Sequence, residues 1–144
     1  MPTTVRAMVA GKSTVHWVGP DATVFDALKR MAAENIGAVL VMAGGELIGI
    51  FSERDYARKV ILHNKSSKET PVREVMSHPV YCVEPEQTAE QCMAIMTDKR
   101  VRHLPVVEFG RVVGIVSIGD VVRAVVSDDR QTISHLLTYI VSGS

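Results

Sequence analysis

The chain has 144 residues, which is enough for one compact domain or for two small units that share a core. Basic and acidic residues number 16 each, so the zero net charge predicts no broad surface for nucleic acid or an anionic membrane. Hydrophobic residues make up 47% of the chain, but no apolar run approaches the roughly 20 residues that span a bilayer.

The cysteines and the N-terminus bear on the cellular compartment. Cys82 and Cys92 fall in a predicted strand and a predicted helix and form no CxxC pair. We expect both to be small buried side chains of a reducing compartment. The first residues lead into no sustained hydrophobic segment, so a secretory signal is not expected. These features predict a cytoplasmic protein that does not contact a membrane.

The sequence repeats itself at an offset of 65 residues. Residues 15–61 align with 80–126 without a gap, and the identical positions concentrate at turns and helix starts. Self-similarity at a fixed period indicates two copies of one supersecondary unit. Because a polar linker lies between the copies, we predict one repeat over 1–66 and a second over 67–144.

Each copy predicts the order β-α-β-β-α after a short helical turn. In the first copy, a weakly alternating strand at 15–18 precedes a helix that starts at Thr23. A continuous apolar run at 38–42 and a return strand at 47–51 flank a glycine turn, which is typical of a hairpin. The closing helix is expected over about 52–63.

The second copy ends in two predicted helices. The first, at 121–126, is apolar almost all round and is therefore predicted to be heavily buried. After a polar break at 127–130, an extra helix at about 129–141 has no counterpart in the first copy. Its apolar stripe consists of Ile133, Leu136, Leu137 and Ile140. The stripe must pack somewhere, either on this chain or on a second one.

A Ser-x-x-Asp motif follows the last predicted strand of each copy. The two motifs are Gly49-x-x-Ser52-x-x-Asp55 and Gly114-x-x-Ser117-x-x-Asp120. The pattern predicts a capping box, with the acid at the positive end of the helix dipole. The same helix start could bind an anion, and the carboxylate could accept hydrogen bonds from ribose hydroxyls. One motif alone favours the cap, whereas its repetition favours a binding site.

This ordered set of repeats and motifs resembles the tandem CBS domain, the regulatory module named for cystathionine β-synthase, over about residues 5–126. Residues 101–107 and the paired helix starts at Thr23 and Thr88 support the resemblance. It implies an α/β (α+β) fold of two β-α-β-β-α repeats related by a pseudo-twofold axis, with two clefts between them. It also implies a signal-transduction module whose clefts bind an adenine nucleotide such as AMP, ADP, ATP or NAD.

The resemblance also implies which residues would form each cleft. Asp120 would bind the ribose, and Ser117 the phosphate, while the segment at 12–16 would line the adenine. The residues implied for this cleft are Lys12, Thr14, His16, Ile36, Arg102, His103, Ser117 and Asp120. Those implied for the second cleft are Ser52, Arg54, Asp55, Tyr81 and Val101. The clefts are not expected to be equivalent, because Gly119 stands where the first copy has Arg54.

Two functions of different class remain open. No nucleophile, base and orienting acid occur together, and the histidines lack metal-ligand spacing, so we predict no enzyme, no catalytic cofactor and no metal site. The first function is a ligand-sensing module that acts on an unknown downstream protein. The second is a structural dimerisation or adaptor module, whose clefts are empty or bind another adenosyl ligand such as S-adenosylmethionine. We expect a homodimer through helices.

Overall fold

The computed structural model describes residues 2–12 and 15–142, which form two separate units of helices and strands. One unit consists of 15–80, and the other combines 2–12 with 81–142. The N-terminal segment, with its short helix α1 (Val5–Val9), therefore packs with the second repeat. The compact units do not follow the predicted division into 1–66 and 67–144, which remains a prediction about the repeats in the sequence.

The unit of 15–80 has the predicted order of elements. These are β1 (Trp17–Val18), α2 (Val24–Glu34), β2 (Ala38–Ala43), β3 (Glu46–Ser52), α3 (Glu53–Asp55), a π-helix (Tyr56–Ile61) and a 3₁₀ turn (Val72–Glu74). The sheet order is β1-β2-β3, parallel between β1 and β2 and antiparallel between β2 and β3. Parallel strands need a crossover connection, which α2 supplies.

Local sequence explains where these elements begin and turn. Thr23 and Asp26 each accept a hydrogen bond from the other's backbone N–H, so α2 starts at a capping box. Gly44 and Gly45 have φ values of +58° and +81°, which a tight hairpin turn requires and glycine adopts without strain. Both predictions are confirmed.

The predicted helix over 52–63 is only partly regular. One α-helical turn is followed by the π-helix, whose wider turns pair each N–H with a carbonyl five residues back, as in Leu62 to Ala57 at 3.3 Å. The π-helix contains Val60, which is fully buried. It also contains Lys59, whose ammonium group lies 3.1 Å from the Asp55 carboxylate.

The second unit has a shorter sheet. Its elements are α1, α4 (Ala89–Lys99), β4 (His103–Glu108), β5 (Arg111–Ser117) and α5 (Ile118–Ser142). β4 and β5 form an antiparallel pair. The segment that corresponds to β1 makes a single parallel bridge, between Val83 and Val106, instead of the predicted strand. Each unit nevertheless encloses a core of its own.

The two cores use corresponding positions of the repeat. In the unit of 15–80 the buried cluster comprises Val24, Ala27, Met31, Val39, Val41, Phe51, Val60, Val72 and Val75. In the other unit it comprises Val5, Val83, Ala89, Cys92, Met96, Leu104, Val106, Val116, Val121 and Ala124. Val5 lies in the short turn before the first repeat but is part of the second repeat's core. Val72 lies in the short turn before the second repeat but is part of the first repeat's core. This exchange of turns explains why the N-terminal segment belongs to the second unit.

Helix α5 corrects two predictions. It runs without a break from Ile118 to Ser142, because no glycine or proline follows Gly119 within it and Asp128 accepts two hydrogen bonds from Thr3, at 2.8 and 2.6 Å. The extra helix at about 129–141 is therefore the end of α5. The prediction that 121–126 is heavily buried is also wrong, since Val122 is 42% exposed and only one side of the helix faces the core.

The cysteines differ from each other in burial. Cys92 is buried in the core of its unit, as predicted, and burial raises the pKa of its thiol to about 11. Cys82 is exposed, so the prediction was wrong for this residue, which lies beside the isolated bridge and not in a covered strand.

Among the described residues, no helix has both the length and the apolar character of a membrane span.

Candidate functional site

The glycine of each motif lies where a second segment packs against the sheet. A Cβ atom on Gly114 would lie 3.0 Å from Val9 Cγ1, and one on Gly49 would lie 2.3 Å from Met76 Sδ. The first distance is tighter than nine in ten Cβ contacts in proteins and the second is shorter than such contacts become, so a side chain at either position would displace its neighbour. Glycine therefore lets α1 approach β5, and the segment that contains Met76 approach β3.

The serine and aspartate of each motif form the predicted capping box. In α5, Asp120 Oδ2 accepts from the Ser117 N–H at 2.8 Å, and Ser117 Oγ accepts from the Asp120 N–H at 3.2 Å. At the start of α3, Asp55 Oδ2 accepts from the Ser52 N–H at 2.9 Å, and Ser52 Oγ accepts from the Asp55 N–H at 3.2 Å. The capping prediction is confirmed in both copies.

The residue before each hairpin completes the cap. The Ile118 N–H donates to the Arg102 carbonyl at 2.8 Å, and the Glu53 N–H donates to the Gly37 carbonyl at 3.0 Å. Since the caps already bond several of the first-turn amides, the helix starts are less open to an anion than the motif alone predicts. Positive charge at the site must come mainly from side chains.

Asp120 is bonded by two cationic side chains. Its Oδ2 atom accepts from the Lys12 ammonium group, which also donates to the Ile115 carbonyl at 3.1 Å, and its Oδ1 atom accepts from Arg123 at 2.9 Å. Burial raises the pKa of the Asp120 carboxyl, but the hydrogen bonds from Lys12 and Ser117 outweigh burial and lower the pKa overall. The carboxylate is therefore ionised at neutral pH.

Asp55 is bonded mainly by hydroxyl groups. Its Oδ1 atom accepts from Ser77 at 2.7 Å and lies 3.1 Å from the Lys59 ammonium group, while Ser52 Oγ lies 3.1 Å from Oδ2. Ser77 also pairs with Ile50 through both backbone groups, at 2.8 and 3.1 Å, which fixes it beside the carboxylate. Four donors thus surround a side chain that is only 10% exposed.

The remaining predicted residues of the second unit differ in their distance from the start of α5. Arg102 is exposed, and its carbonyl bonds to the first residue of α5. His103 begins β4 and pairs with Ser117 in the sheet. Val101 is half-buried and packs against the core, whereas Tyr81 is exposed at its edge and lies 5.2 Å from the Lys99 ammonium group.

The other predicted residues belong to the unit of 15–80. His16 lies 3.5 Å from the Glu34 carboxylate, and Ile36 is half-buried against the core. Arg54 is half-buried in the first turn after Ser52, where it forms no ion pair with a described residue. Thr14 lies outside the described residues. The structure therefore brings together Lys12, Ser117 and Asp120, with Arg102 and His103 beside them.

Three contributors were missed from the sequence: Lys59, Ser77 and Arg123. Arg123 gives a signal that could have found it, because it lies three residues after Asp120 on one helix face and matches Arg58 in the repeat. Ser77 and Lys59 gave no such signal in the sequence. The contact of Ser77 with Asp55 depends on how the linker packs, and that of Lys59 depends on the π-helix.

Comparison with known proteins identifies the class that this fold and these motifs define. The family model described as the CBS domain matches residues 11–62 and 72–127. The chain belongs to the CBS domain family.

Relatives and solved structures agree with this assignment. The chain is 45% identical over 132 residues to the mitochondrial CBS domain-containing protein CBSX3 of Arabidopsis thaliana, covering 88% of this chain and 64% of that protein's length. It is 47% identical to a solved protein with CBS domains from Burkholderia ambifaria, with a TM-score of 0.83 over 88% of this chain and 96% of that one.

A more distant solved structure has the same fold. A hexameric CBS-CP12 protein from bloom-forming cyanobacteria is 27% identical, with a TM-score of 0.77 over 85% of this chain and 71% of that one. The predicted mixed α/β class with CBS-type repeats is confirmed by these structures.

Proposed function

We propose that this protein is a ligand-sensing regulatory module that binds an adenine nucleotide at Asp120 and does not catalyse its conversion. The observation that carries the proposal is the Asp120 carboxylate, which is ionised, only 13% exposed and bonded by Lys12 and Arg123 at the start of α5. An ionised carboxylate in such a position accepts ribose hydroxyls well, because hydrogen bonds to charged acceptors are the stronger ones.

Local positive charge supports a phosphate-bearing ligand. The chain as a whole is neutral, so a phosphate ester needs cations close to its site. Lys12 and Arg123 lie on the carboxylate, and Arg102 is joined to the helix start through its carbonyl group. The Lys12 and Arg123 side chains thus bring two positive charges to one carboxylate, which favours AMP, ADP, ATP or NAD as the ligand.

The same geometry argues against catalysis by the motif. Ser117 Oγ accepts a hydrogen bond from the Asp120 N–H, as the hydroxyl of a helix cap does. Asp120 has a lowered pKa, which makes it a weak general base at neutral pH. Both side chains are therefore suited to holding a ligand.

The proposal is tested by melting the protein with AMP, ADP, ATP, NAD and S-adenosylmethionine in separate samples. A ligand that binds only the native state raises Tm by mass action. Calorimetry on Asp120→Ala should then show an affinity about ten- to a hundredfold weaker, because the ribose loses charge-assisted hydrogen bonds.

Asp55→Ala is the matched variant, since it removes the same capping acid from the other copy. We expect it to bind with nearly wild-type affinity when measured well below its own melting temperature. Equal losses from both variants would show that both copies bind ligand, and wild-type affinity in both would leave the aspartates as caps only.

A second candidate function, dimerisation as an adaptor, is favoured by α5. Ile133, Leu136, Leu137 and Ile140 are between 56% and 63% exposed, and such a continuous apolar stripe is typical of an interaction surface. We expect a homodimer through helices, in keeping with the hexameric relative. Light scattering should show it, and Leu137→Glu should shift it towards the monomer; a wild-type monomer at tens of micromolar would contradict it.

The regulated protein and the cellular compartment stay predictions. A sensor must act on a downstream protein, which no contact in the described residues identifies. The cytoplasmic location likewise rests on sequence composition alone.

A further inference from the structure

Lys12 and a bound ribose would need the same atom of Asp120. A carboxylate offers about four lone-pair positions, two on each oxygen. Oδ2 already accepts from the Ser117 N–H at 2.8 Å and from the Lys12 ammonium group, whereas the hydrogen bond to Oδ1 that residues 2–12 and 15–142 supply comes from Arg123, at 2.9 Å. A cis-diol that bonds both carboxylate oxygens therefore finds room on Oδ1 and none on Oδ2.

Of the two donors on Oδ2, only Lys12 can leave. The Ser117 N–H is fixed by the backbone at the junction of β5 and α5, where it forms the helix cap. Lys12 has a flexible side chain that is 40% exposed, and it retains the Ile115 carbonyl as a second acceptor. Arg123, which is 74% exposed, bonds the other oxygen and does not block this position.

Moving Lys12 has a consequence for the kind of ligand that binds. An ammonium group that loses its carboxylate partner is left beside one neutral carbonyl, which is less favourable than a charged partner. A phosphate oxygen on the incoming ligand supplies a new anion for it. A nucleoside without phosphate supplies none, so its binding has to include the loss of an ion pair.

We propose that Lys12 makes the Asp120 site selective for adenine ligands that carry phosphate, because it exchanges the Asp120 carboxylate for the ligand's phosphate when the ribose binds. This inference rests on the proposed function and adds a specificity residue to it. Lys12 thus acts against ligands such as adenosine and in favour of AMP and its longer relatives.

The experiment compares adenosine with AMP, which differ only in the phosphate, on wild-type protein and on Lys12→Met. For the wild type we expect AMP to bind at least tenfold more tightly than adenosine. In Lys12→Met, AMP should bind about tenfold more weakly, since a charge-assisted contact is lost. Adenosine should bind as tightly as to the wild type or severalfold more tightly, because the competitor for Oδ2 is gone.

Opposite effects on the two ligands distinguish selection from a structural role. If Lys12 only holds α1 in place, Lys12→Met weakens both ligands by the same factor and the inference is wrong. Lys12→Arg, which keeps the charge, should restore most of the preference for AMP. Melting curves of each variant establish that it is folded at the temperature of the measurement.

Lys59→Met is the control in the other unit, because Lys59 stands beside Asp55 as Lys12 stands beside Asp120. We expect it to leave the ratio of the two affinities unchanged, and a changed ratio would place the ligand at Asp55 and refute the inference. If neither adenosine nor any nucleotide binds the wild type, the proposed function itself fails. Nucleotide binding that does not depend on Lys12 would instead refute this inference alone and leave the proposed function standing.

Discussion

Replacing the two capping aspartates by alanine should destabilise the fold unequally, although both begin a helix with the same motif. Asp55→Ala removes an acceptor from the Ser52 N–H, the Ser52 hydroxyl, the Ser77 hydroxyl and Lys59. Loss of the cap costs about 1 kcal/mol. Leaving a buried donor unpaired costs about 1–3 kcal/mol more. We expect the free energy of unfolding to fall by about 2–4 kcal/mol, with little added for Lys59 because it is partly exposed.

Asp120→Ala loses the same cap and, within the part of the chain that the structure describes, the contacts with Lys12 and Arg123. Both cations are well exposed and can be hydrated once the carboxylate is gone, so each pair contributes about 0–1 kcal/mol. The expected loss is about 1–3 kcal/mol. For a chain of this size, 1 kcal/mol corresponds to roughly 2–4 °C in Tm.

Urea denaturation of the two variants and the wild type, followed by circular dichroism, measures the difference. Asp55→Ala should also melt about 2–4 °C below Asp120→Ala in thermal denaturation, because the expected difference is about 1 kcal/mol. Equal losses would mean that the hydroxyl contacts of Asp55 contribute nothing beyond the cap. A larger loss in Asp120→Ala would mean that exposed ion pairs stabilise this fold more than buried hydroxyl contacts, and the reasoning would be refuted.

Three further predictions concern packing, acid and the hairpin turn. Gly114→Ala should cost about 1–3 kcal/mol because its Cβ would meet Val9, and Val9→Ala in the same chain should recover part of the loss in urea denaturation. Since the pKa of Asp120 is lowered in the folded state, its stabilisation is present above the unfolded pKa of 3.8 and is lost as the pH falls through the lower folded value. Stability measured from pH 5 down to pH 2 should therefore fall less steeply in Asp120→Asn than in the wild type. Phe109 has a φ of +51° and is 95% exposed, so Phe109→Asn should raise the free energy of unfolding by about 0.5–1 kcal/mol, and an unchanged Tm would contradict this.

Asp55 and Asp120 both cap the helix that they begin, but their other hydrogen-bond partners differ. A hydroxyl group from a fixed linker closes the Asp55 site, whereas a lysine that can move covers the Asp120 site. A neutral hydroxyl group can donate one hydrogen bond to a phosphate but brings no charge, while an ammonium group can exchange one anion for another. A lysine contacts the carboxylate in both copies, but only Asp55 also accepts a hydrogen bond from a linker serine among the described residues, which supports the proposal that the ligand binds at Asp120.

Local chemistry made much of this fold predictable from the sequence. The glycine turn, the capping boxes at Thr23, Ser52 and Ser117, and the β-α-β-β-α order all depend on residues a few positions apart. Hydrogen bonds of that range and the backbone preferences of glycine are determined within the segment itself. Because the sequence repeats after 65 residues, each of these local patterns occurs twice, which is why the family and the two motifs could be recognised together.

Only the tertiary structure decided which groups meet at the site. The Lys12–Asp120 contact joins residues 108 positions apart, and the bond from Thr3 to Asp128 spans 125. No sequence spacing encodes such pairs; they form because α1 packs against β5 of the second repeat and not within the first. The same long-range bond supplies a partner for Asp128 in the polar segment where the sequence predicted a break, and α5 continues through it to Ser142. The repeat and its caps were thus determined by local physics, and the charge around Asp120 by packing between distant segments.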